Sequence, residues 1–399
     1  MSATAGFDIA KEFHWLAVVD DRARLLLSHR VDNGSAAIAQ AVAELHALEA
    51  EHGPLSIGLD VVGGISGLLT AMLLAEDFIC VHVPGLAVNR ARRGTRGGEN
   101  KSDPRDAKVI AEQVLLRDDL RRIELPDEAA VELRLLVGHR THLVRDITAL
   151  INRLRDLLTA IHPGLDRVVQ PRTKASVLLL SRYVTPAEIR HAGIARITGY
   201  LTRRGVNQPT AQALAQAAVA SARSQHTAVA GERRTSRMIR EFSDELLVLR
   251  SKLKALEEEI EQLVAAHPDG ALILSLPGMG VALTAEFLAA VGSIRRFTGG
   301  DSLAAACGLA PVLSQSGKIR YSRGATGGDK ALKRVFYQSA FCAIKNDPAS
   351  RVYYDRKRAE GKRHHQALIA LARRRVNVLY AILRDRQPYQ ARPPLHLVA

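Results

Sequence analysis

The sequence predicts an α/β N-terminal domain, a helical coiled-coil middle and a mainly α C-terminal domain. Three observations carry this. Short apolar runs alternate with helical patterns over residues 5–115, an apolar stripe runs unbroken from Ile239 to Leu263, and two helical stretches flank a Pro277-Gly278-Met279-Gly280 turn. A chain of 399 residues is long for one domain, and these patterns divide it into 1–120, 121–268 and 269–399.

In the first segment, Phe7–Ala10, His14–Val19 and Leu25–Ser28 are short runs separated by charged turns such as Asp20-Asp21-Arg22, the pattern of a three-strand meander. Ala36–Glu51 has helical periodicity, with Ile38, Val42, Leu45 and Leu48 on one face. A strand over Leu55–Asp60, a helix over Ile65–Glu76, a strand over Ile79–Val83, a basic glycine-rich loop and a helix over Asp103–Leu116 follow. Three antiparallel strands, then helix-strand-helix-strand-helix, is the order of an RNase H-like domain.

Four acids fall at particular places in that order. Asp8 lies in the first strand, Asp60 ends the fourth, and Asp103 and Asp106 are three apart on the last helix, sharing a face. An acid in a buried strand is costly unless it is paired or holds a metal. Carboxylates that converge from strand ends and one helix suggest a divalent-metal site for phosphate chemistry, with Mg²⁺ as the ion. Taken alone, Asp103 reads as a helix cap with Pro104 at the first helical position, and Asp106 as a complement to the helix dipole. Joined to Asp8 and Asp60, the metal reading takes precedence. The preceding loop carries Arg90, Arg92, Arg93, Arg96 and Lys101, cations suited to offset phosphate charge.

Residues 127–162 read as a long helix. The 239–263 stripe alternates steps of 3 and 4 with charged residues between, which is a heptad seam. It serves either an internal helical hairpin with 127–162 or a seam between copies in a dimer or tetramer. Residues 171–235 read as mixed helix and loop. Near residue 278, helix–turn–helix offers the backbone N–H groups of Gly278 and Gly280 to a phosphate, or simply lets two helices pack closely.

A net charge of +15 and a pI near 10.1 point to a polyanionic partner, nucleic acid before membrane surface. Residues 351–386 carry 11 Lys/Arg against 3 Asp/Glu, including Arg373, Arg374 and Arg375, and read as a nucleic-acid surface. Aromatics at 4% argue against base-stacking modules as the main readout. Cys80, Cys307 and Cys342 form no metal-binding or disulfide pattern. No leader-like segment opens the sequence and no apolar run is long enough to span a bilayer, so the expectation is a cytoplasmic protein with no membrane association. Ser316, between Gln315 and Gly317 and followed by Lys318 and Arg320, reads from its residues alone as a turn serine, a poor nucleophile unless activated.

Phe7-Asp8-Ile9-Ala10-Lys11, Lys101-Ser102-Asp103-Pro104-Arg105-Asp106-Ala107, Leu276-Pro277-Gly278-Met279-Gly280, and Gly308-Leu309-Ala310-Pro311 through Gln315-Ser316-Gly317 occur in this order. The set resembles the insertion sequence one-ten family, the DEDD transposases that include bridge-RNA-guided recombinases, over roughly 5–116 and 270–385. The resemblance implies a RuvC-like N-terminal domain, a coiled-coil linker and a C-terminal transposase domain with a nucleophilic serine. It assigns the four acids to Asp8, Asp60, Asp103 and Asp106 and the serine to Ser316, with Ser314 as a neighbouring alternative. It also implies donor and target DNA as partners, a non-coding guide RNA, and a site composed of acids from one domain and serine from another. The family usually carries Glu at the second acid, where this chain has Asp60. A hydrolytic nuclease of the Holliday-junction-resolvase type, using the acids alone, and a catalytically inactive nucleic-acid-binding protein are the alternative readings.

Overall fold

A computed structural model describes residues 3–94, 99–124, 128–316 and 319–391. The chain forms two compact units, residues 1–126 and 127–399.

The first unit is built on β1 (Thr4–Ile9), β2 (Phe13–Val19), β3 (Leu25–Asp32), α1 (Ser35–His52), β4 (Ser56–Leu59), α2 (Gly67–Ala75), β5 (Ile79–His82), α3 (Gly85–Arg93), α4 (Asp103–Leu116) and β6 (Arg121–Arg122). Among the described residues the sheet order is β3-β2-β1-β4-β5-β6, with β1–β2–β3 antiparallel and β1–β4–β5 parallel. This is the strand arrangement expected of an RNase H-like domain, with the two-residue β6 added at the edge. Part of the stretch expected as a basic loop is helical: Arg90, Arg92 and Arg93 form the last turn of α3.

Alternation along β1 sends Ala5, Phe7 and Ile9 into an apolar core shared with Ile38, Leu45 and Leu69, and turns Thr4, Gly6 and Asp8 towards α4. Helix and strand keep step along this contact. Two strand residues advance about 6.6 Å and four helical residues about 6 Å. Thr4 Oγ1 donates to Ala111 O at 3.0 Å, and Gly6 lies under Ala107, so the start of α4 lies over Asp8. Gly6 and Gly58 are register partners on adjacent strands and form the trench that receives α4. A Cβ on Gly6 would stand 2.4 Å from both the Ala107 oxygen and the Ala111 nitrogen, whereas one on Gly58 would meet side-chain ends, of Val114, Ile110 and Val83 at 2.6, 2.7 and 3.1 Å. Gly6→Ala is therefore expected to cost about 3 kcal/mol by forcing the helix backbone off the sheet, and Gly58→Ala less, since methyl groups can turn aside. Urea unfolding of the two variants checks the order, and equal costs would remove the backbone contact as the cause.

The second unit contains α5 (Glu128–Ile161), α6 (Pro163–Val168), α7 (Lys174–Leu180), α8 (Pro186–Arg203), α9 (Gln208–Arg223), α10 (Glu232–Ala266), α11 (Gly270–Leu274), α12 (Val281–Val291), α13 (Gly300–Ala306), β7 (Val312–Ser316), β8 (Ile319–Arg323), α14 (Lys330–Asn346), α15 (Pro348–Ala359) and α16 (His364–Asp385). The heptad stripe is filled within the chain. Leu256 and Ile260 pack with Leu133 and Leu143, Leu246 with Leu150 and Ile151, and Ile239 with Leu154 and Leu158, so α5 and α10 run antiparallel. Arg140 ties the pair to Glu257 at 2.6 Å. Of the two uses expected for the stripe, the internal hairpin is the one found, because α5 supplies the complementary apolar face. Helices α7–α9, in the stretch read as mixed helix and loop, join α6 to cap the far end of the hairpin in their own core around Leu179, Ile189, Leu201 and Ala215. The near end of α5 and α10 joins α11–α16 in one core, so the middle and C-terminal segments share a single compact unit. No described helix is long and apolar enough to cross a membrane.

Candidate functional site

Asp8 is the penultimate residue of β1 and Asp60 directly follows β4. Because Phe7 and Leu59 are parallel register partners, both acids stand at the same end of the sheet. Asp60 Oδ1 accepts a hydrogen bond from the Ile9 backbone N–H at 3.2 Å, which fixes this carboxylate beside the residue following Asp8. Helix α4 brings Asp103 and Asp106 in its first turn. Ser102, rather than Asp103, occupies the capping position, so Asp103 is the first helical residue and its carboxylate is not required as the cap.

The other three acids act on Asp8. The Asp8 carboxyl is pushed up to about 7, first by burial and then by the negative charges of Asp60, Asp106 and Asp103, with Lys101 acting in the opposite sense. Asp60 is raised as well, mainly by burial, with the Ile9 N–H bond and nearby His82 opposing and the charge of Asp106 adding. Asp106 is 4% exposed and both of its oxygens accept from Arg92 Nη1, each at 2.7 Å. A half-buried crowd of like charges is the environment that a cation relieves. An all-oxygen donor set matches a hard ion such as Mg²⁺ in chemistry. Among the described residues no three His, Cys, Asp or Glu side chains stand close enough to hold one ion.

In the second unit Ser316 ends β7 at the tip of a two-stranded hairpin, paired with Ile319. Ser314 is its neighbour two residues back, on the same face of the strand and opposite Tyr321. Ser316 is exposed and Ser314 half-buried. Around the stretch read as a turn, residues 312–316 and 319–323 pair as antiparallel strands that expose Leu313, Ile319 and Tyr321. The foot of this hairpin is tied to the domain where the Asp329 N–H donates to Ala306 O at 2.7 Å.

The expected cations divide. Arg90, Arg93, Lys101, Arg320 and Arg374 are exposed, and Arg374 lies 5.0 Å from the centre of the Tyr353 ring. Arg373 is held by Asp301 and by Asn377 at 2.6 Å. One expectation is refined and one corrected. Arg92, expected to offset phosphate charge beside the acids, faces into the acid cluster and is seated on Asp106. Arg375 is 3% exposed and donates to Ser339 Oγ at 2.8 Å and to the Pro277 carbonyl, so it fastens the 277–280 turn from beneath rather than joining the basic surface. Gly278 adopts a φ of 84° and packs against α14, where a Cβ would lie 2.5 Å from the Ser339 oxygen. Of the two roles expected for the glycines, close packing accounts for Gly278, while Gly280 is exposed at the start of α12. Arg96 and Lys318 lie outside the described residues.

Sequence reasoning missed the inward direction of Arg92, the Gly6–Gly58 trench and His82. The first was signalled by Val88, an apolar residue four positions earlier on the same helical face.

A transposase family model matches residues 5–163, and a second, the transposase IS116/IS110/IS902 family, matches residues 270–355. The insertion element IS900 uncharacterized 42 kDa protein of Mycobacterium paratuberculosis is 39% identical, with 96% of each chain covered. The insertion element IS116 uncharacterized 44.8 kDa protein of Streptomyces clavuligerus is 38% identical over 98% of this chain and 96% of its own. Among solved structures, T. thermophilus RuvC in complex with Holliday junction substrate aligns over 31% of this chain and 100% of its own, at 15% identity and a TM-score of 0.25, a likeness too slight to bear on this chain. With two family models matched in order and relatives similar along nearly their whole length, the chain belongs to the IS110 family of DNA transposases.

Proposed function

We propose that this transposase moves its insertion sequence by serine-mediated strand exchange, with Asp8, Asp60, Asp103 and Asp106 as a Mg²⁺ site and Ser316 as the nucleophile. The observation that carries the reading is the gathering of the acids at one end of the sheet, where burial and the charges of the other three push Asp8 up to about 7. A divalent ion bound there would neutralise charge on the scissile phosphate and on the oxygens that attack and leave. The chain's own residues do the rest. Asp60, pinned by the Ile9 N–H, and Asp106, carried in by α4, set the carboxylate positions.

Ser316 Oγ attacks the phosphorus. A new P–O bond forms as the bond to the leaving sugar oxygen breaks, the serine proton passes to solvent, and the leaving oxygen takes up a proton. Attack by a sugar hydroxyl of the exchanged strand reverses these steps and reseals the DNA without a high-energy cofactor. The exposed placement of Ser316 at the end of a paired strand supports this role, since a nucleophile for a polymer must reach it. In this reading donor and target DNA are chosen by pairing with a non-coding guide RNA, and the active form is a dimer or tetramer. The charge of +15 supports a large polyanionic partner.

The test is a nicked suicide substrate incubated with the full chain, with and without Mg²⁺. A denaturant-resistant protein–DNA adduct that forms only with the ion is expected. Efficient cleavage with free ends and no adduct would favour a hydrolytic nuclease instead.

A further inference from the structure

The cation buried among the acids comes from the chain itself. Val88 and Ala91 of α3 pack against Val109 and Ile110 of α4, and one turn after Val88 the same face carries Arg92. That packing delivers the guanidinium to Asp106, where a single nitrogen meets both carboxylate oxygens at 2.7 Å. Both partners are buried, at 7% and 4% exposure. Those two oxygens are the ones that an ion in the cluster needs from Asp106.

We infer that Arg92 is the resident counter-cation of the acid cluster: it occupies Asp106 while no metal is bound, and a divalent ion must displace it. The inference rests on the metal-site reading above and adds a competitor to it. A carboxylate buried without a positive partner is strongly disfavoured, so the chain pairs and orients Asp106 with its own guanidinium. An ion of higher charge then takes over the same oxygens. The affinity observed for the ion is thereby reduced by the fraction of molecules in which Asp106 is already occupied. Once displaced, a guanidinium beside a metal-bound phosphate is suited to a phosphate oxygen by its planar, forked donors.

An orienting role predicts the opposite sign. If Arg92 merely held Asp106 in place for the metal, its removal would weaken binding.

The sign is read by titrating Mn²⁺ into the full-length protein at pH 8, followed by calorimetry and by the electron paramagnetic resonance signal of free Mn²⁺. Arg92→Gln is expected to bind Mn²⁺ about five- to tenfold more tightly than the unaltered chain. Arg92→Lys keeps a cation but not the fork, and is expected to fall between the two; it also carries the test if the glutamine variant fails to fold. Asp8→Asn should weaken binding in every background. Unchanged or weaker Mn²⁺ binding in both Arg92 variants, alongside a normal loss in Asp8→Asn, would overturn the competitor role and leave the acids as the metal site. Absence of saturable binding by the unaltered chain would remove the metal reading, and this inference with it.

Discussion

Ser316→Ala is expected to abolish the covalent protein–DNA adduct on a nicked suicide substrate, by at least about a thousandfold, because no other group replaces a lost nucleophile. Ser314→Ala is expected to leave the adduct in place. The two serines share one face of β7, so orientation does not separate them; exposure does, with Ser316 at the tip of the hairpin and Ser314 half-buried opposite Tyr321. Peptide mass spectrometry of the digested adduct should place the phosphodiester on Ser316. Mapping to Ser314 would correct the residue and keep the mechanism. Cleavage by Ser316→Ala at the unaltered rate, with free DNA ends, would end the covalent reading, since hydrolysis by acids and water does not need the serine.

Asp8→Asn is expected to do two things of opposite sense: to eliminate strand cleavage, and to stabilise the N-terminal unit at pH 8 in the presence of a chelator. The second follows from the raised Asp8 carboxyl. Unfolded, it ionises with its ordinary value of 3.8; folded, it holds its proton up to about 7. Between those values the unfolded chain binds fewer protons than the folded one, so this group's contribution to stability declines as pH rises through the window. Asparagine has the same shape and no charge to bury. Asp8 is part-exposed, which weakens the electrostatic cost, so the gain at pH 8 is set at about 1 kcal/mol, or roughly 4 °C in the melting temperature of a unit this size. At pH 4 the difference should vanish. Added Mg²⁺ should stabilise the unaltered chain at pH 8 and not the variant. Equal melting temperatures at both pH values would mean that no such strain exists at Asp8, and retained cleavage in Mg²⁺ would remove it from the catalytic set.

Much of the N-terminal unit was legible in the residues because its signals are local. Period-two runs, charged turns and one helical stripe specify strands and helices within a few residues each, and their order matches the strand arrangement found. The placement of Asp8 and Asp60 was legible for the same reason: each is the polar exception that ends or interrupts an apolar run. The glycines were harder. Gly6 and Gly58 read as ordinary strand residues until the register sets them side by side under α4, and Gly278 reads as a ligand-binding turn until α14 is seen against it.

By itself, then, the sequence determined the elements of the N-terminal unit and the basic charge, which depend on residue type and short spacing; it singled out the four acids by their places in that order, and Ser316 only through the family resemblance. Tertiary structure decided which partner each surface found. The 239–263 stripe is an apolar face that either α5 or a second copy could cover, and only the folded chain shows α5 covering it. Arg92 and Arg375 are indistinguishable in sequence from the cations beside them, yet packing turns one onto Asp106 and the other beneath the 277–280 turn. A charge run records how many cations there are. Which of them face inwards depends on contacts far apart in the chain, where burial makes an unpaired charge costly and a paired one part of the site.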